Sequence, residues 1–154
     1  MQKICLVRGA GDIATGTIQK LVRAGFKCVV TEVSNPSSIR RKVSLSEAIY
    51  EQKKVVEDIE AVLCENLDEI GQYLERYNPV IIVDPKLTIL NKMKFDVVVD
   101  AILAKKNTGL KKEMAEITIG LGPGFEAGVD CDIVIETMRG HDLARIIEQG
   151  FANK

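Results

Sequence analysis

The stretch Ile4-Cys5-Leu6-Val7-Arg8-Gly9-Ala10-Gly11-Asp12-Ile13-Ala14-Thr15-Gly16 sets the expectation for the fold. Its first four residues make an apolar run of the kind found in a strand covered on both faces. After the glycines, Ile13, Ile18, Leu21 and Val22 return at helical spacing, so the segment reads as strand, glycine turn, helix. Gly9 suits a tight turn, Gly11 the close approach of an anion, and Ala14 the packing of helix on strand. The pattern is G-x-G-x-x-A, a variant of the dinucleotide-binding fingerprint, in which backbone N–H groups at the helix start, here from Asp12 and Ile13 onward, face a phosphate. That fingerprint expects an acidic residue about 20 positions later, at the end of the second strand, to hold a ribose hydroxyl. Glu32 closes the run Cys28-Val29-Val30-Thr31 at that place. The same residues also fit a glycine turn that only joins strand to helix.

Working outward, a helix over about 12–24 stops at Gly25, and a second strand runs over about 27–33. Ser34-Asn35-Pro36-Ser37-Ser38 is a turn cluster, followed by the basic trio Arg40-Arg41-Lys42. Ser44 and Glu47 have the spacing of a capping box, which predicts a short helix ending near Tyr50. Residues 55–58 and 59–64 read as two short strands. Asn66 caps a helix through Ile70, Tyr73, Leu74 and Tyr77, ended by Pro79. Residues 80–83, 95–100, 116–119 and 132–137 are further strands, with a turn of helix around 87–93. A last helix is expected through Leu143, Ile146 and Ile147. Strands and helices in alternation predict a single α/β domain over 1–154. It is expected to be Rossmann-like, an open, mostly parallel sheet with helices on both faces.

The chain of 154 residues carries 21 basic and 22 acidic side chains, net −1. No basic excess marks a nucleic-acid partner, and no apolar run approaches membrane-spanning length. Cys5, Cys28, Cys64 and Cys131 are widely spaced and form no C-x-x-C pair, which fits a cytoplasmic protein better than a disulfide framework. A single histidine, His141, excludes a multi-histidine metal site within one chain. Self-association is expected for a domain of this kind, without a stretch that marks the interface.

A family resemblance rests on four blocks: residues 7–16, Thr31-Glu32-Val33, residues 99–107, and the run from Gly120-Leu121-Gly122-Pro123-Gly124-Phe125 through Glu136-Thr137-Met138-Arg139-Gly140-His141-Asp142-Leu143. Together they resemble the YqeB-type proteins, accessory proteins of selenium-dependent molybdenum hydroxylase systems, themselves distantly similar to XdhC-type accessory proteins with a Rossmann-like domain. The resemblance implies a maturation or accessory role, with a molybdenum hydroxylase or its maturation machinery as partner. The chain departs from the family in having Cys131-Asp132 in place of Val-His and Ala144 in place of Gly. No histidine chemistry at the first place, and no selenium-transfer role for Cys131, carries over. Longer members continue into a further domain.

Three other clusters are candidates for chemistry. Gly122 and Gly124 flank Pro123 after a strand and suit either an anion-binding nest or a tight turn. Arg139 offers a fork for carboxylate or phosphate, and His141 a group titrating near neutrality. Asp142 beside it either orients the imidazole or caps a helix. Asp100 ends a buried strand, and Lys105 follows on a loop where it would serve as a base or an anion contact, or stand in solvent. The cofactor expected at Gly9, Gly11, Asp12, Ile13, Ala14 and Glu32 is NAD or NADP, or another nucleotide. Glu32 favours the unphosphorylated ribose, whereas Arg40 and Arg41 lie where a 2′-phosphate would fall. Competing readings are a small NAD(P)-dependent oxidoreductase, for which Tyr50 with Lys53 and Lys54 is only a loose match to Tyr-x-x-x-Lys, and a non-catalytic docking domain.

Overall fold

The structure, a computed structural model, describes residues 2–154. Twelve regular elements follow in chain order: β1 (Ile4–Arg8), α1 (Asp12–Arg23), β2 (Lys27–Glu32), α2 (Ala48–Glu51), β3 (Lys53–Val56), β4 (Ile59–Leu63), α3 (Ile70–Arg76), β5 (Val80–Val83), β6 (Val97–Asp100), β7 (Ile117–Leu121), β8 (Ile133–Ile135) and β9 (Ile146–Ile147). The strands form one sheet in the order β3-β4-β5-β2-β1-β6-β7-β8-β9. From β4 to β8 every neighbouring pair is parallel, and only the edge strands β3 and β9 pair antiparallel. The six strands β5-β2-β1-β6-β7-β8 reproduce the doubly wound order 3-2-1-4-5-6, so the expected Rossmann-like α/β fold is the one observed.

The parallel strands are apolar on both faces because both faces are covered. On one face Cys5, Val7, Val30 and Ile81 pack with Ala14 and Ile18 of α1 and with Leu45 and Ala48. On the other, Leu6, Val29 and Val98 pack with Ile70 and Leu74 of α3, Phe95 and Phe125. Each Val, Leu, Ile or Phe side chain removed from water contributes about 1.5–3 kcal/mol, and burial on both faces is why successive residues of β1 are all apolar until Arg8. The α-helices lie over the β1, β2, β4 and β5 half, whereas the crossings after β6 use 3-10 turns and irregular loops.

Two expectations are corrected. Residues 143–147 are not a helix. Gly140 and Ala144 take positive φ of 134° and 68°, which a helix does not allow, and Ile146–Ile147 pair antiparallel with β8. The capping box also fails: the Ser44 hydroxyl donates to the Arg40 carbonyl at 2.8 Å, and Glu47 Oε2 is sealed without a partner. The Asn66 cap is present, accepting from the Asp68 N–H at 2.9 Å. Beyond β9 the chain runs back over the sheet, where the Asn153 N–H donates to buried Glu136 at 2.9 Å and Ala152 enters the core. Among the described residues no helix is long and apolar enough to cross a membrane.

Candidate functional site

In a doubly wound sheet the chain leaves β1 toward one side and β6 toward the other, so the loops that follow them part and leave a crevice. Here that crevice is a cleft of about 550 Å³. Its walls come from the β1–α1 turn (Gly9, Gly11, Asp12, Ile13, Ala14), the end of β2 and its loop (Thr31, Glu32, Val33, Pro36, Ile39), Pro85 after β5, and Ala101, Ile102, Leu103 and Thr108 after β6.

The two glycines of the turn differ in kind. Gly9 has φ +96°, and a Cβ there would stand 3.0 Å from the Ala101 carbonyl oxygen, so the fold itself demands glycine. Its N–H is spent on the Thr31 carbonyl at 2.8 Å. Gly11 has φ −69° and ψ −172°, open to any L residue, and no protein atom lies within 4 Å of where its Cβ would be. Gly11 itself lines the cleft. Among the described residues the N–H groups of Gly11, Asp12 and Ala14 meet no protein acceptor, so the positive end of the twelve-residue α1 is open there. Asp12 turns its carboxylate back on the Ile13 N–H at 3.0 Å, and Ile13 faces outward at the cleft rather than into the core.

Glu32 ends β2 beside the turn. Its Oε1 accepts the Ala10 N–H at 3.0 Å and its Oε2 the Val33 N–H at 2.8 Å, each oxygen keeping a further lone pair. Val33, Pro36, Ile39 and Pro85 line the cleft beyond it, with Ile39 fully exposed. Tyr50 buttresses this loop, its hydroxyl lying 2.8 Å from both Asn35 Oδ1 and the Pro36 carbonyl, and it does not line the cleft.

Arg8 and Asp100 are register partners on β1 and β6, and Arg8 Nη1 donates to Asp100 Oδ2 at 2.9 Å. Asp100 is fully buried, its Oδ1 accepting the Ile102 N–H at 3.2 Å. Burial holds its pKa above the ordinary range, although Arg8 and the Ile102 N–H pull it down. Asp100 therefore sits under the cleft and does not line it; Arg8, only 5% exposed, does. The sequence signal for Arg8 was there to be read, a lone charge on the last residue of an apolar strand.

The remaining candidates lie elsewhere. Lys105 is exposed on the loop after β6 and does not line the cleft. Its carbonyl is 3.0 Å from where a Gly124 Cβ would stand, and a Gly122 Cβ would be 2.8 Å from Thr137 Oγ1. The second glycine cluster thus admits the protein's own chain, and the Gly122 N–H is spent on the Ile135 carbonyl at 2.9 Å. Arg139 and His141 are exposed on the loop after β8, a strand three spacings, or about 14 Å, from β1. Asp142 lies 3.8 Å from Arg145, in an exposed ion pair. The structure brings Gly9, Gly11, Asp12, Ile13, Ala14 and Glu32 together at one cleft, and leaves Gly122, Gly124, Arg139 and His141 outside it. Cys131 is buried, and burial pushes its thiol up to about 11, so little thiolate exists at neutral pH.

A comparison with curated proteins finds the Escherichia coli (strain K12) protein carrying the name "Uncharacterized protein YqeB", 43% identical over 152 residues. The chain is a homologue of part of YqeB. The match takes in 99% of this chain but 28% of YqeB, so the chain spans little more than a quarter of that relative's length. No family model matches the chain, and no solved structure matches it. Extending over 152 residues, the similarity to YqeB runs through the cleft as well as the sheet around it.

Proposed function

We propose that the protein binds a nucleotide, NAD or NADP or one of similar build, in the cleft between β1 and β6, and that it serves as an accessory protein in the maturation of a selenium-dependent molybdenum hydroxylase. The observation that carries the binding half is Gly11. Backbone dihedrals and neighbours leave room for any small side chain at that position, yet the residue is glycine and it lines the cleft. The accessory half rests on the resemblance to YqeB-type proteins.

In the bound state the open N–H groups of Gly11, Asp12 and Ala14 hold a phosphate against the α1 terminus. Glu32 keeps the turn in shape through Ala10 and offers its remaining lone pairs to ribose hydroxyls. A base packs among Val33, Pro36, Ile39 and Pro85. The test is a melting series with NAD, NADP, ATP, CTP and a molybdopterin nucleotide. A ligand at 100 times its dissociation constant stabilises by about 2.7 kcal/mol, a shift that such a series resolves. Stabilisation by a nucleotide supports the reading. A flat series across all five contradicts it.

A further inference from the structure

We propose that Arg8 receives the carboxylate of a small organic acid held in the β6 half of the same cleft, beside the nucleotide. This rests on the nucleotide reading for its second occupant, though the acid site is built from residues of its own.

The guanidinium is in a costly place and is incompletely partnered. It is buried at the end of an apolar strand, where a cation needs several acceptors to offset lost hydration. It makes one ion-pair contact, Nη1 to Asp100 Oδ2 at 2.9 Å, where a two-pronged pair is available to a fork of five N–H donors. Asp100 supplies no second prong: its other oxygen is turned to the Ile102 N–H at 3.2 Å. Nη2 reaches only the Thr108 carbonyl at 3.4 Å, a long contact. Nε has no protein acceptor among the described residues, and Glu47 Oε2 is the one sealed and unpartnered side-chain atom among them, so solvent reaches Nε.

The surroundings say what kind of group fits. Arg8 and Thr108 both line the cleft, and Ala101, Ile102 and Leu103 supply an apolar wall next to them. Gly109, at φ +132°, carries the loop past Arg8, with Arg8 Nη1 3.7 Å from where its Cβ would stand, an ordinary contact distance. Asp100 already balances one charge, so a singly charged carboxylate is received with less repulsion than a doubly charged phosphate. A planar carboxylate also matches the fork, and a short aliphatic body would rest on Ile102 and Leu103.

The experiment titrates acetate, butyrate and inorganic phosphate into the full chain, with and without NAD, and follows binding by calorimetry. The variants are Arg8→Lys and the double variant Arg8→Gln with Asp100→Asn, which leaves no lone buried charge. The expected result is carboxylate binding in the wild-type protein that weakens about tenfold or more in both variants while NAD affinity is unchanged. In parallel, the Arg8 Nε–H resonance of wild-type protein labelled with 15N-arginine moves on addition of butyrate, which needs no folded variant. Carboxylate binding that is equal in all three proteins, phosphate bound in preference to either carboxylate, or an Arg8 resonance that stays still overturns the proposal. Failure of NAD to bind while butyrate still moves the Arg8 resonance removes the nucleotide reading and leaves the acid site standing.

Discussion

The Glu32 carboxylate at the end of β2 accepts the N–H of Ala10, 22 residues earlier in the glycine turn, at 3.0 Å. The residue expected to face ribose therefore also braces the loop expected to face phosphate. Ala10 is fully buried with Glu32 in place, and removing the carboxylate leaves its N–H without a protein acceptor. Glu32→Ala is expected to cost about 1–3 kcal/mol, or several degrees in melting temperature, and to weaken nucleotide binding beyond the loss of ribose contacts. Glu32→Gln keeps an acceptor for Ala10 and should recover most of the stability. Urea unfolding of the two variants beside wild type separates bracing from ligand contact.

Asp12 puts a negative charge at the helix end where the phosphate is placed. Replacement by Asn removes a repulsion worth about 1 kcal/mol near the surface, so nucleotide affinity should rise roughly fivefold. The same change gives up a favourable charge at the α1 N-terminus and should lower stability by about 0.3–1 kcal/mol. Tighter binding with a less stable apo protein is the expected pair of results, read by calorimetry and chemical unfolding. Unchanged affinity would place the phosphate away from this turn.

Burial raises the Asp100 pKa and Arg8 opposes that rise without cancelling it. A carboxyl group with a raised native pKa binds its proton more tightly in the folded state. Its contribution to stability is present below the usual aspartate range and is lost as pH climbs through the raised value. The stability of wild type relative to Asp100→Asn should therefore fall as pH rises from strongly acid conditions. A relative stability that rises with pH would show that Arg8 outweighs burial. Glu136 behaves oppositely: the N–H groups of Asn153, Met138 and Thr137 lower its pKa, so its hold on the tail is lost as pH falls. Hydrogen exchange at Asn153 should speed up in acid relative to neighbouring core amides.

Gly9 and Gly120 are glycine for the protein's own sake. A Cβ at Gly120 would sit 2.6 Å from the ring of buried Phe125, and one at Gly9 would meet Ala101 with φ already at +96°. Alanine at either is expected to destabilise by about 1–3 kcal/mol, measurable by urea unfolding. Alanine at Gly11, which touches nothing, should leave unfolding unchanged within about 0.5 kcal/mol.

These glycines show what could be read from residues alone and what could not. Strands β1, β2, β5 and β6 were legible because burial on both faces writes a continuous apolar run, and the turn after β1 because its spacing is tied to a geometry. The Gly122–Gly124 cluster has similar composition but accommodates Leu103, Lys105 and Thr137, neighbours that sequence position does not reveal. Residues 143–147 carry helical apolar spacing, but the left-handed backbone at Ala144 turns the chain into an edge strand instead. Arg8 and Asp100 meet across 92 residues, a contact fixed by strand register and invisible to local pattern.

The central claim is that a nucleotide occupies the space left by Gly11. Calorimetric titration of NAD, or of the nucleotide that most raises the melting temperature, into wild type and Gly11→Val tests it directly. One site per chain is expected in wild type and none in Gly11→Val, with both proteins unfolding at nearly the same urea concentration. Equal binding to the two proteins, or no nucleotide bound by wild type, would contradict it.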